Sequence, residues 1–312
     1  VLVGDPDQLA SVEVGAVLGD LVERPVPRMP KASAPVEELA AADLAALPAE
    51  ERERALTAGV VRLSHVHRSS QEIQELAAAI RGGDPEAVDE VIDKGYSCIE
   101  FIDSDPETTG DLGTLHDDVL TAGVELAQAA RAGDPEEALA ALGRHRLLCG
   151  HREGPHGVGR WGGLIEEWLA DEIEGYGREG LWYVGRPLLV TANDYQLRLF
   201  NGDSGVVVDV DGRPRAAFRR DGAADTLAPS RLSDVQTVHA MSVHRSQGSQ
   251  FDRVTVVLPP AESPLLTREL LYTAVTRAKE HVRIIGTREA LAAAVRRRIV
   301  RASGLGRHSA GR

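Results

Sequence analysis

The spacing of hydrophobic positions changes along the chain, and each change predicts a different kind of structure. Up to about residue 183, apolar side chains recur every three or four residues, which predicts helices with a few strands between them. From about residue 184, short runs rich in Val and Leu end at turn residues, a pattern typical of β-strands. From about residue 233, strands and helices alternate again, which favours a parallel sheet.

The predicted helix over residues 70–81 has the clearest pattern, because its apolar residues share one face and stop before two glycines. These apolar residues are Ile73, Leu76, Ala77 and Ile80. Further helices are expected over residues 14–22, from 84 onwards, 112–131, 135–142, 164–173, 267–279 and 289–300. Strands are expected over residues 1–3, 98–102, 146–149, 187–192, 205–210, 216–219, 226–229, 237–241, 254–258 and 282–286.

The element pattern and the composition divide the chain into six segments. In the segment over residues 24–59, Pro25, Pro27, Pro30 and Pro35 are followed by an Ala/Glu/Leu stretch, so we expect an exposed and mobile linker that ends in a surface helix. The strand at residues 1–3 needs neighbours, so we expect the sequence to continue a longer protein. The expected segments are 1–23 (end of one α/β domain), 24–59 (linker), 60–183 and 233–302 (two parts of a second α/β domain), 184–232 (all-β insert) and 303–312 (flexible tail).

Composition and charge narrow the class of protein. The 312 residues are 43% hydrophobic and 27% charged, which is ordinary for a soluble globular protein. A net charge of −13 excludes a uniformly basic nucleic-acid binder, although a local groove can still bind phosphates. Cys98 and Cys149 lie far apart, so we expect a reducing cytoplasm and neither a metal site nor a disulfide framework. No apolar run is long enough to cross a membrane.

Two polar stretches near the start have both an ordinary and a functional interpretation. The first, GDPDQL at residues 4–9, reads as a Pro-containing turn after a strand. The Gln8 amide could also donate to a phosphate from that position and so register a γ-phosphate. The second, LSHVHRS at residues 63–69, contains Arg68, which alone would be a surface or helix-capping arginine.

Two more polar stretches lie in the last third of the chain. AMSVHRSQGSQFD at residues 240–252 is rich in hydrogen-bond donors and connects two apolar strands, so we expect it to bind a ligand. In LYTAVTRAK at residues 271–279, Thr273 and Arg277 are four apart and would share a helix face. A single helical arginine is usually solvated.

In this order, the four stretches resemble the later motifs of superfamily 1 helicases of the RecD type. Three further segments strengthen the resemblance: GDPDQLASVEVGAVLGD at residues 4–20, LCGHREGP at 148–155 and FNGD at 200–203. It covers nearly the whole chain outside residues 24–58 and 105–140. The resemblance implies an α/β fold, with a RecA-like parallel-sheet domain of the P-loop NTPase type (helicase domain 2A) and an inserted small all-β SH3-like domain.

The resemblance also implies roles for individual residues. Gln8 would sense the γ-phosphate, and Arg68 and Arg277 would be arginine fingers between two RecA-like domains, a role worth about 10³–10⁵ in rate. His67, Arg245 and Gln250 depart from the more usual Tyr, Lys and Glu. The expected nucleotide contacts are Asp5, His67, Gly248 and Gln250, and the expected DNA-binding and coupling residues are Ser242, His244, Arg245, Ser246, Gln247 and Thr276.

The implied function is that of a 5′-to-3′ DNA helicase in double-strand-break repair, acting as the RecD subunit of RecBCD. The implied cofactors of the full-length protein are ATP and Mg²⁺. Single-stranded DNA and the RecB and RecC subunits would be its partners, with duplex ends as the substrate of the complex. The arginine fingers would couple hydrolysis to closure of the cleft between domains.

The phosphate-binding pattern G-x-x-x-x-G-K-[ST] does not occur in this sequence, since none of its three lysines follows a glycine. Asp89-Glu90 and Asp171-Glu172 lie in helical pattern, so neither is expected to hold magnesium. We therefore expect this chain alone to bind no nucleotide and to hydrolyse no ATP. Two alternatives remain open: a non-catalytic DNA-binding or scaffolding module, and another superfamily 1 motor such as a relaxase-linked helicase.

Overall fold

The structure is a computed structural model, and it describes residues 4–9, 44–45, 47–58, 69–107 and 112–299. The strand predicted at residues 1–3, the helix at 14–22 and the tail at 303–312 lie outside the described residues. Contacts divide the chain into two compact units, one formed by Val1–His67 with Val300–Arg312 and the other by Arg68–Ile299.

The smaller unit contains the turn predicted at residues 4–8, which is confirmed. The Asp5 carboxylate accepts hydrogen bonds from the Asp7 amide and from Gln8 Nε2, both at 3.0 Å. Helix α1 (Ala49–Ala58) carries Glu50 and Glu51 in its first turn, where their negative charges suit the positive end of the helix dipole.

The larger unit contains the remaining described helices and all described strands. Its helices are α2 (Gln71–Gly82), α3 (Pro85–Asp93), α4 (Leu115–Arg131), α5 (Pro135–Leu142), α6 (Val158–Glu172), α7 (Arg268–Val275) and α8 (Arg288–Arg296). Its strands are β1 (Ile99–Asp103), β2 (His145–Cys149), β3 (Pro187–Val190), β4 (Ser204–Val210), β5 (Arg213–Arg220), β6 (Ala223–Leu227), β7 (Val235–Thr237), β8 (Ala240–Ser242), β9 (Phe251–Val257) and β10 (Ala278–Gly286).

The prediction for α2 is confirmed in detail. Ser70 caps its start by accepting the Ile73 amide, and Gly83 ends it with a left-handed φ of 79°. The four residues of the predicted apolar face are all buried. None of the described helices combines the length and apolar character that a membrane span requires.

The first sheet is entirely parallel and has the strand order β1-β10-β9-β2-β8. Its central strands are nearly continuous apolar runs, as expected where helices cover both faces. On one face, Leu147 and Val257 pack with Trp161, Ile165 and other side chains of α4 and α6. Helix α2 contacts β10, and α7 contacts β9.

The second sheet is antiparallel, with the strand order β6-β5-β4-β3-β7. Val206 and Val208 of β4 pack on Leu126 of α4 and Leu142 of α5. The alternate side chains, including Val207, form a separate core. β-structure thus occupies the region predicted from residue 184, and its sheet extends to Thr237.

The single strand predicted at residues 237–241 is wrong, because two strands in different sheets occupy this segment. β7 ends at Thr237 in the antiparallel sheet, and β8 begins at Ala240 in the parallel sheet. The chain crosses between the sheets at Val238, whose amide donates to the Pro187 carbonyl. The buried guanidinium of Arg146 donates to the Val238 carbonyl at 2.7 Å, which fixes this crossing.

The predicted helix over residues 267–279 is also too long, since α7 ends at Val275 and Lys279 already lies in β10. The Arg277 side chain accounts for this end. Its Nε donates to the Thr273 carbonyl and its Nη1 to the Ser249 carbonyl, both at 3.1 Å. The Thr273 carbonyl belongs to the last turn of α7, and a side chain that satisfies such a carbonyl helps the chain to leave the helix without a glycine. The Ser249 carbonyl lies in the loop before β9, so the same side chain ties the helix end to that loop.

Arg277→Lys should lower the free energy of unfolding by about 2 kcal/mol, measured by urea denaturation. A lysine carries one nitrogen and cannot bridge both carbonyls, and a hydrogen bond from a charged donor contributes about 1.5–3 kcal/mol. Arg213→Lys, at an exposed position of β5, is the matched control. Equal stability of the two variants would contradict this role for Arg277.

A buried ionic network joins the parallel sheet to α4. Arg283 of β10 is 1% exposed, and it contacts Glu100 of β1 at 2.6 Å and Asp118 of α4 at 2.7 Å. Its guanidinium also donates to the Thr114 hydroxyl. The two carboxylates compensate the buried positive charge, so the network depends on all its members.

Arg283→Ala should therefore destabilise the protein by about 2–3 kcal/mol in urea unfolding, because it removes a buried cation that bonds two half-buried carboxylates, and hydrogen bonds to charged groups contribute about 1.5–3 kcal/mol. Asp118 would keep its contact with Arg253 at 3.4 Å, whereas Glu100 would lose its counter-charge. Arg288→Ala is the control, since Arg288 forms a half-exposed ion pair with Asp89 at 2.8 Å. Surface pairs contribute about 0–1 kcal/mol. A similar small loss for both variants would show that the Arg283 network is not needed for stability.

Candidate functional site

A pocket of about 240 Å³ lies at the carboxyl ends of β2 and β8, two neighbouring strands of the parallel sheet. Ligands of open α/β sheets commonly bind at this edge. The pocket is lined by Arg152, Glu153, Val158, Gly159, Gln236, Ala240, Met241, Ser242 and Arg245.

Two guanidinium groups in this pocket lack a counter-charge. Among the described residues, neither Arg152 nor Arg245 has a hydrogen-bond or ion-pair partner for its side chain. Burial and then the nearby positive charge of Arg152 lower the pKa of Arg245. Glu153 contributes a single carboxylate to the lining. The pocket is therefore suited to an anion, because two unpaired positive charges create a locally positive potential.

Backbone hydrogen bonds fix the loop that carries Arg152. The Arg152 carbonyl accepts the Gly159 amide at 3.0 Å, and the His151 carbonyl accepts the Val158 amide at 3.1 Å. The His151 ring contacts the Ser263 hydroxyl at 2.8 Å. The loop therefore joins β2 to the first turn of α6 in a defined conformation.

The loop that carries Arg245 is a tight turn after β8. The Val243 amide donates to the Cys149 carbonyl at 3.0 Å, which continues the pairing of β2 with β8. Ser246 is fully buried, and its hydroxyl donates to the Val243 carbonyl at 2.8 Å. Gly248 has a left-handed φ of 86°, which suits glycine at this position.

The structure brings some of the predicted site residues together. Ser242 and Arg245 line the pocket, whereas Ser246 supports the turn from within. Arg277 is 6% exposed, and its bond to the Ser249 carbonyl ties the fourth predicted stretch to the third. Thr276 lies beside it, with its hydroxyl accepting from Arg277 Nη2 at 3.3 Å.

Four other predicted residues of this loop do not line the pocket. His244, Gln247 and Gln250 are half-buried, and Gly248 is exposed. Their predicted contacts with nucleotide or DNA stay predictions.

Four predicted residues are not among the described residues of the larger unit. Arg68 and His67 are outside the described residues, although the Ser70 amide donates to the Lys279 carbonyl at 3.0 Å just after them. Gln8 and Asp5 belong to the smaller unit.

Three polar residues of the pocket, Arg152, Glu153 and Gln236, were not predicted from the sequence. Arg152 and Glu153 lie in the LCGHREGP segment, which was singled out for its resemblance but received no site role. The signal that could have identified Arg152 is its position three residues after a predicted strand of the parallel sheet. Gln236 had no comparable signal, because it enters the pocket from the antiparallel sheet.

Known proteins are similar to this chain, both over the segment that contains β8 and Arg245 and over nearly its whole length. Residues 237–285, which run from the end of β7 into β10, match the UvrD-like helicase C-terminal domain. The chain is 48% identical over 305 residues to the RecBCD enzyme subunit RecD of Mycolicibacterium smegmatis. It is 45% identical over 305 residues to the same subunit of Mycobacterium tuberculosis H37Rv. Each alignment covers 98% of this chain and 48% of the relative.

More distant relatives share smaller parts. The ATP-dependent RecD2 DNA helicase of Deinococcus radiodurans is 36% identical over 140 residues, which are 44% of this chain and 19% of that protein. A Bacteroides Pif1 helicase structure has a TM-score of 0.35 and 13% identity, covering 72% of this chain and 51% of that chain. The chain spans about half the length of the RecD relatives that it matches over nearly its whole length. The resemblance found in the motifs is thus confirmed: the chain is a relative of RecD subunits over about half of their length, and residues 237–285 are similar to the UvrD-like helicase C-terminal domain.

Proposed function

We propose that this chain is the C-terminal part of an ATP-dependent DNA helicase of the RecD type and that its pocket binds a backbone phosphate of single-stranded DNA. The observation that carries the proposal is the pair of unpartnered guanidinium groups of Arg152 and Arg245 at adjacent strand ends. Ser242 supplies a hydroxyl to the same pocket.

The chemistry of these groups supports a phosphate. A guanidinium is planar and permanently charged, and it binds phosphate oxygens through parallel N–H donors. The chain as a whole has a net charge of −13 and would repel DNA at long range. A local positive pocket is therefore where we expect DNA to bind, in the way that single-strand-binding grooves follow the backbone.

The relatives support the wider assignment. We propose that the parallel sheet is a RecA-like domain 2A and that the antiparallel sheet is an SH3-like insert. The full-length protein would move 5′ to 3′ in the cytoplasm, with RecB and RecC as partners, and would act on duplex ends in double-strand-break repair. The RecBCD subunits among the relatives and the UvrD-like match support this assignment.

ATP and Mg²⁺ belong to the proposal for the full-length protein. In this structure the Arg277 donors are directed at the Thr273 and Ser249 carbonyls and at the Thr276 hydroxyl. A phosphate contact would require Arg277 to exchange those bonds. We therefore propose that the 312-residue chain alone does not hydrolyse ATP, and that Gln8, Arg68 and Arg277 act only together with further parts of a helicase.

Replacing both pocket arginines, as in Arg152→Ala with Arg245→Ala, should weaken binding of a labelled oligothymidylate by roughly ten- to a hundred-fold near 0.1 M salt. The plot of log affinity against log salt should also become shallower by about 0.7, the value for one phosphate contact on a single strand. Fluorescence anisotropy across a salt series measures both quantities.

The control is Arg178→Ala, which removes an exposed arginine that does not line the pocket. It should leave the affinity and its salt dependence nearly unchanged. If the double variant binds the oligonucleotide as tightly as the unmodified chain, the pocket does not hold a phosphate.

A further inference from the structure

The loop over residues 191–203, between β3 and β4, has a defined conformation although it carries no regular structure. The Asp194 carboxylate accepts the Gln196 and Leu197 amides, both at 2.9 Å. The Asp203 carboxylate accepts the Phe200 amide at 2.7 Å. The Asn193 side chain accepts the Asn201 amide at 2.9 Å. The side chains of the loop therefore help to hold its conformation.

Two aromatic rings of this loop face solvent. Leu197 and Leu199 are buried in the core of the antiparallel sheet, whereas Tyr195 is 77% exposed and Phe200 is 48% exposed. The two rings meet edge to face, with their centroids 6.2 Å apart. Only two other large apolar side chains among the described residues, Leu181 and Leu265, are comparably exposed.

The loop lies close to the proposed phosphate pocket along the antiparallel sheet. β3, which leads into the loop, pairs with β7, so that Leu189 lies opposite Gln236. Gln236 also lines the pocket. At the other end of the loop, the Gly202 amide donates to the carbonyl of Val190, the last residue of β3, at 3.0 Å. Phe200 therefore lies two residues before a residue that is hydrogen-bonded to β3. At about 3.3 Å per residue, the rings lie on the order of 10–20 Å from Gln236, a distance of a few nucleotides.

We infer that Tyr195 and Phe200 form a platform on which bases of single-stranded DNA stack while a neighbouring phosphate occupies the Arg152 and Arg245 pocket. This inference rests on the proposed function. Aromatic side chains beside a positive groove are the usual combination for single strands, because every base offers a face for stacking. Two isolated rings suit one or two bases and fall far short of the roughly 1,200 Å² buried in a stable protein–protein interface.

The charges of the loop agree with stacking rather than with a protein partner. Its two carboxylates, Asp194 and Asp203, bond to backbone amides of the loop itself. Its one arginine, Arg198, forms an exposed ion pair with Asp221 at 3.3 Å. Affinity at this platform should therefore come from the rings and depend little on salt.

The test measures binding of a labelled oligothymidylate to the 312-residue chain across a salt series. Tyr195→Ala and Phe200→Ala should each weaken binding roughly five- to a hundred-fold, the range for loss of one stacked base. The salt dependence should stay that of the unmodified chain, since no phosphate contact is lost. Tyr195→Phe should bind normally because it keeps the ring, and Leu181→Ala is the matched control for an exposed apolar side chain.

A second probe identifies stacking directly. An oligonucleotide in which single positions lack a base should bind the unmodified chain more weakly at the one or two positions that face the rings. The same lesions should have no effect on the variant with both Tyr195→Ala and Phe200→Ala, because there is no ring left to stack on. Equal penalties in both proteins would overturn the inference.

The outcomes separate the two proposals. If the aromatic variants bind like the unmodified chain while the Arg152 and Arg245 variant loses affinity, the stacking platform is wrong and the phosphate pocket stands. If neither set of variants changes binding, or if the unmodified chain binds no single strand, both proposals are wrong. A loss in the aromatic variants that Tyr195→Phe does not restore would also overturn the platform.

Discussion

The pairing of β2 with β8 determines what the two loops beyond these strands can do. Leu148 lies opposite Met241, and the Cys149 carbonyl accepts the Val243 amide just beyond the end of β8. Parallel strands end at the same edge of a sheet, so this pairing brings together two loops that are about ninety residues apart in the sequence. Arg152 and Arg245 meet for this reason and not because of any local motif.

The contacts of each arginine distinguish those that stabilise the fold from those that are available to bind a ligand. Arg283 is compensated by Glu100 and Asp118. Arg146 and Arg277 are buried as well, but each directs its donors at backbone carbonyls. In the pocket, neither guanidinium has a partner among the described residues. Arg152 is exposed and Arg245 is half-buried, so both guanidinium groups remain accessible to an anion from outside the chain.

The hydrophobic pattern predicted most helices and strands, because those elements bury a regular face. It failed where a distant side chain decides the outcome. The break at Val238 depends on Arg146 and on the Pro187 carbonyl, neither of which the local pattern of residues 237–241 reveals. The end of α7 at Val275 depends on Arg277, in a segment that contains no glycine or proline.

The candidate site was predictable only in part for the same physical reason. The polar stretch after β8 was recognised from its own residues, and Ser242 and Arg245 do line the pocket. Predicting the role of Arg152 would have required knowing which strands are neighbours in the parallel sheet. Predicting the role of Gln236 would have required knowing where the antiparallel sheet meets the parallel one. Both are long-range relationships that a single sequence does not contain.

The central claim is that the two guanidinium groups at the ends of β2 and β8 hold a phosphate of a DNA strand. The most direct measurement is a crystal structure of the 312-residue chain with a short oligothymidylate. We expect one backbone phosphate within hydrogen-bond distance of both Arg152 and Arg245, with Ser242 beside it. A strand bound elsewhere on the molecule, or two arginines that form ion pairs with carboxylates of the protein instead, would contradict the account.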